Sequence, residues 1–127
     1  MPTHQNAFDR LRAAALAFPG AYEDHPWGES VAKVNRRVFA FLGRREDGVG
    51  LTVKLPQTGK AALMMPFTQP TGYGLGKSGW VTAQFEPGEE VPFGLLQEWI
   101  RESYLAIAPA KLAAQVAGRV PTRKRPR

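Results

Sequence analysis

The stretch that decides the fold is Val31-Ala-Lys-Val34, Asn35-Arg36, Arg37-Val-Phe-Ala-Phe-Leu42. Two β-rich runs flank a two-residue link, which is the pattern of a β-hairpin. Asn35 tolerates the positive φ that so short a turn requires. Outward from it, Arg44 to Gly48 reads as a second turn and Val49 to Leu55 as a third strand. There Leu51, Val53 and Leu55 alternate with Thr52 and Lys54, so one face is dry and the other wet. Before the hairpin, Phe8, Leu11, Ala14, Ala15 and Phe18 recur at helical spacing, with Thr3 or Asn6 to start the helix and Pro19-Gly20 to end it. After the third strand, Pro56 opens a short helical stretch to Met64, residues 66–79 form a loop, and Trp80 to Phe85 is a strand. Pro92 then begins a helix whose face carries Leu96, Trp99, Ile100, Ser103 and Ile107; Pro109 breaks it before a last helix, Ala110 to Ala117. The expected fold is α+β: a two-layer sandwich, an antiparallel sheet with the N- and C-terminal helices on one face.

The chain has 127 residues, enough for one core and not two. Residues 1–118 are expected to form a single domain and residues 119–127 a disordered basic tail. The absence of cysteine excludes disulfide scaffolds, thiolate metal sites and cysteine nucleophiles. The longest all-apolar run, Ala13 to Phe18, is far below the roughly 20 residues of a membrane span. No secretory signal is visible, so a cytoplasmic protein without membrane attachment is expected.

Formal net charge is +6, but its distribution says more. The tail holds five basic residues and no acid, whereas residues 31–60 hold seven basic and two acidic ones. Lys33, Arg36 and Arg37 surround the first hairpin tip, and Arg44 and Arg45 sit at the second. Basic hairpin tips can straddle a nucleic-acid backbone. Charged turns also serve simply to keep a surface solvated.

Two clusters invite chemical readings. Gly74-Leu-Gly-Lys-Ser-Gly79 imitates phosphate-binding glycine loops, yet those must lead into a helix, and this one leads into the strand beginning at Trp80. Its glycines are expected to take positive φ and let backbone pass near Trp80. Glu23-Asp-His-Pro-Trp-Gly28 offers a histidine between acids, but consecutive loop residues rarely converge on a metal, and no oriented triad with Ser30, Ser78 or Ser103 is evident. Its plain reading is structural, with Trp27 closing the core edge. Trp80 and Trp99 also read as core, and Tyr73 as the best exposed stacking residue.

The assembled motifs resemble the MmcQ/YjbR-like family. The match runs through Phe18-Pro-Gly-Ala-Tyr-Glu-Asp-His-Pro-Trp-Gly28, Lys33 to Phe41, Leu51-Thr-Val-Lys-Leu-Pro56, Pro70 to Val81 and Leu96 to Tyr104, within residues 7–112. The resemblance implies a sandwich similar to bacterial frataxin, and DNA binding through a double-wing arrangement of strands. The acidic, iron-binding first helix of frataxins is not carried over, since this helix has only Asp9 beside Arg10 and Arg12.

The resulting expectation is a non-enzymatic, monomeric DNA-binding domain without metal or cofactor. It would touch phosphates weakly and non-specifically through Lys33, Arg36, Arg37, Arg44, Arg45, Lys54 and Lys77. The alternative is a small-ligand or anion-binding domain in which the His25–Trp27 and Tyr73–Lys77 loops converge, using His25, Trp27, Tyr73 and Lys77.

Overall fold

The computed structural model describes residues 4–26, 29–45, 48–72 and 74–117. Trp27, Tyr73 and the basic tail therefore lie outside the described residues. The chain runs α1 (His4–Leu16), β1 (Tyr22–Asp24), β2 (Ser30–Val34), β3 (Arg37–Arg45), β4 (Gly48–Lys54), α2 (Gly59–Ala62), β5 (Thr68–Pro70), a 3-10 turn (Leu75–Ser78), β6 (Trp80–Phe85), α3 (Phe93–Ile107) and α4 (Ala110–Ala117). The six strands form one antiparallel sheet in the order β1-β2-β3-β4-β6-β5. Helices α1 and α3 pack on one face of it, giving the expected two-layer α+β sandwich. No helix is long and apolar enough, among the described residues, to cross a membrane.

Alternation explains the layering. Val49, Leu51 and Val53 of β4 pair with Phe85, Ala83 and Val81 of β6, and all six are buried. Phe8, Leu11 and Ala15 of α1 and Leu96, Trp99, Ile100, Tyr104 and Ile107 of α3 close over them. Each large side chain buried this way stabilises the fold by about 1.5–3 kcal/mol.

Two strands differ from the sequence reading. Residues 22–24 and 68–70 read as loop but pair as edge strands with β2 and β6. Three residues are too few to show a two-residue period; pairing with a formed neighbour creates these strands. The helix of the opening segment ends at Leu16, so Phe18 packs from the turn beyond it, stacked on Tyr104 at 4.6 Å.

One irregularity shapes the sheet. Ala32 pairs with Ala40 but Lys33 pairs with Val38, leaving Phe39 as an extra residue. This is a β-bulge. It turns both Phe39 and Ala40 into the core and leaves Lys33 and Val38 on the helix-free face.

Candidate functional site

Register assigns the residues of the helix-free face. They are Tyr22 and Asp24 on β1, Val31 and Lys33 on β2, Val38, Phe41 and Gly43 on β3, Gly50, Thr52 and Lys54 on β4, Trp80, Thr82 and Gln84 on β6, and Gln69 on β5. Val31 is only 1% exposed, so the face is closed at that point. Further across the sheet it is half open.

The basic residues separate into two groups. The β2–β3 turn, the end of β4 and the start of β6 all lie at one end of the sheet, because Val34 pairs with Arg37 and Lys54 with Trp80. Lys33, Arg36, Arg37, Lys54 and Lys77 therefore stand toward one end of the sheet, spread across it from β2 to the 3-10 turn beside β6, with Arg37 on the helix side by its pairing with Val34. Asn35 and Arg36 have φ of 51° and 70°, the conformation of a tight hairpin turn. Glycine suits the second of these positions best, so an arginine there is held at a conformational cost.

Lys33 Nζ lies 3.1 Å from Asp24 Oδ2. That hydrogen bond, with a second from the His25 amide, lowers the Asp24 pKa. Among the described residues, no carboxylate pairs with Arg36, Arg37, Lys54 or Lys77. Arg44 stands at the other end of β3, on the helix side, with its guanidinium 4.5 Å from the centre of the Phe8 ring. Arg45 ends the same strand. The two hairpin tips are thus separated by the length of β3, about 26 Å at 3.3 Å per residue. Glu86, Glu89 and Glu90 follow β6 at that far end.

The ligand-loop alternative meets a different geometry. His25 follows β1 at one edge of the sheet, and its Nε2 lies 3.2 Å from Glu23 Oε2. Lys77 lies in the 3-10 turn, which packs on β5 and β6 at the opposite edge. The fold does not bring His25 and Lys77 together. Trp27 and Tyr73, the other members of that set, lie outside the described residues.

Glu23 faces the helices. Arg12 donates to it from Nε at 2.9 Å, and its second guanidinium nitrogen and the Ser30 hydroxyl also donate to it. These bonds, Arg12 foremost, hold the carboxyl at about 2 although burial opposes it. Ser30 thus serves Glu23 rather than His25. Ser103 is likewise engaged, donating to Phe39 O and accepting from Lys54 N. Among the described residues, no three metal-ligating side chains stand close enough to hold an ion.

The glycine loop is architectural in the way its context predicts. Gly74 and Gly79 flank the 3-10 turn in the left-handed region, with φ of 78° and 93°. Gly79 O accepts from Leu55 N at 2.8 Å, which fixes the turn against the end of β4.

Trp80 corrects the sequence reading. It is half-buried, packed against the edge of the core rather than inside it, and by register it shares the helix-free face with Thr82 and Gln84. The Phe41 ring meets it at 5.6 Å, edge to face. Thr82 Oγ1 shares hydrogen bonds of 2.9 Å with both Thr52 Oγ1 and Thr71 Oγ1. Phe41, Thr71 and Thr82 were given no role from sequence, and Thr52 was read only as a wet-face residue of its strand. The signal was the alternation in Trp80 to Phe85, which groups Trp80 with the polar positions.

These features define a small two-layer α+β domain with one sheet face left free of helices and one basic sheet end. The chain belongs to the YjbR family, whose model matches residues 16–106. The crystal structure of Deinococcus radiodurans protein DR2400, with a DUF419 domain, is similar at 25% identity and TM-score 0.66, over 92% of this chain and 89% of that one. A Pseudomonas syringae protein of 18% identity shares the fold with TM-score 0.55, over 80% of this chain and 96% of its own. No curated protein matches the chain.

Proposed function

We propose that this protein is a non-catalytic nucleic-acid-binding domain that grips phosphates with the basic end of its sheet. The observation that carries the reading is the gathering of Lys33, Arg36, Arg37, Lys54 and Lys77 at that end, from segments far apart in sequence. Arg36 adds weight: an arginine held at positive φ on an exposed tip occupies a place that glycine would fill more stably. Arg44 and Arg45 are left out of the contact set, since they stand at the other end of β3. The wing in this reading is the Asn35-Arg36 hairpin alone.

Fluorescence anisotropy with labelled duplex and single-stranded DNA, at two salt concentrations, tests the proposal. Micromolar binding that weakens with salt is expected, with a log–log slope of about 0.7–0.9 per phosphate contact. No binding at low micromolar protein, or binding indifferent to charge reversal at Arg36 and Arg37, sinks the reading.

A further inference from the structure

We infer that the helix-free face is a platform for a single strand of nucleic acid, with its bases against the Phe41–Trp80 pair and its phosphates toward Lys54 and the basic end. This rests on the nucleic-acid reading above and specifies the form of the ligand. Phe41 and Trp80 belong to strands on either side of β4, about 10 Å apart, yet their rings meet at 5.6 Å. Both side chains therefore lean diagonally over β4, where Phe41 is paired with the short Thr52 and Trp80 with Lys54. Both are half-buried, so each keeps part of its surface in water.

The flanks suit the same ligand. On one side Gly43 faces Gly50, so no side chain rises from β3 or β4 there, and Gln84 stands beyond them on β6. On the other, the hydroxyls of Thr52, Thr82 and Thr71 form a connected row that uses two of its three protons, leaving one to donate to the edge of a base and lone pairs to accept from it.

Charge selects the occupant. The sheet positions of this face carry Lys33 and Lys54, and their one acid, Asp24, is bound to Lys33; Glu29 and Glu86 line the hollow beside Phe41 and Thr52, so the free positive charge is at the Lys54 end. An apolar partner would have to desolvate Lys54. An anionic chain with flat apolar rings meets both demands. A duplex hides the faces of its bases in the stack, whereas a single strand offers them to aromatic side chains.

The test compares a short oligothymidylate with an oligomer of the same length built from abasic units, which has the phosphates without the bases. The full-length protein is expected to bind the oligothymidylate about tenfold more tightly. Intrinsic tryptophan fluorescence should be quenched on binding, and the quench should be lost in Trp80→Phe, which leaves Trp27 and Trp99 in place. Equal affinity for the two oligomers, or a quench unchanged in Trp80→Phe, overturns the platform while leaving the phosphate-binding reading intact. Binding of neither oligomer overturns that reading, and the platform with it. The comparison of oligomers uses the unaltered chain, so it stands even if a Trp80 variant fails to fold.

Discussion

The Ser103 hydroxyl donates a 2.6 Å hydrogen bond to the carbonyl oxygen of Phe39. Phe39 is the extra residue of the bulge, and it stands one step beyond the Ala40–Val53 pair, where the β3–β4 register would next meet Lys54. The same hydroxyl accepts from Lys54 N at 2.9 Å. One fully buried side chain on α3 thus satisfies two strand ends and fixes the residue that presents Lys54. Ser103→Ala leaves a buried acceptor and donor unpaired and should cost about 1–3 kcal/mol. Urea unfolding of the two proteins measures it, and an unchanged midpoint would remove this role.

Next along α3, Tyr104 OH donates to Pro19 O at 2.6 Å, and its ring lies between Phe18 and Phe39. Tyr104→Phe keeps the ring contacts and loses the hydrogen bond. Its expected cost is about 1 kcal/mol, against about 3–5 kcal/mol for Tyr104→Ala, as for other large aromatic truncations. Thermal and urea melts of both variants read the difference.

Arg36→Gly should separate stability from binding. The new Asn35-Gly turn suits positive φ at both positions, so the fold should gain about 0.5–1 kcal/mol. The same change removes a cation from the basic end, so DNA affinity should fall and the salt dependence should flatten. A variant that is both more stable and equally tight would show that Arg36 makes no contact. Lys54→Gln should weaken binding likewise, whereas Arg44→Gln should leave it nearly unchanged.

Glu23 predicts the direction of an acid effect. Its carboxyl is held at about 2 instead of the ordinary 4.5, chiefly by the Arg12 hydrogen bonds. Because the folded value is the lower one, this stabilisation is fully present above 4.5 and is lost as pH falls from there through about 2. Denaturation midpoints measured from neutral pH down to about 3 should therefore fall further for the native chain than for Glu23→Gln. Parallel curves would contradict the assignment.

The hairpin at Asn35-Arg36 was legible because a two-residue turn between β-rich runs is a local signal. So were β4, β6 and α3, whose apolar residues repeat with the period of their element. Residues 22–24 and 68–70 were not, since edge strands this short exist only by pairing. Trp80 was misread as core because size and apolarity do not state a direction. Only its alternation with Val81 and its pairing with Lys54 put it on the outer face.

The charge excess of residues 31–60 was plain from sequence, but its division was not. Arg36 and Arg44 are eight positions apart on one hairpin arm and stand at opposite ends of the sheet, because an extended strand carries them about 26 Å apart. Lys77 is distant in sequence from Lys33, yet antiparallel pairing returns it to the same end. Sequence by itself determined the longer elements, the family likeness and the sign of the charge, since each follows from neighbouring residues. Which cations share an end, and which aromatic rings share a face, was decided only by strand order and by the bulge at Phe39.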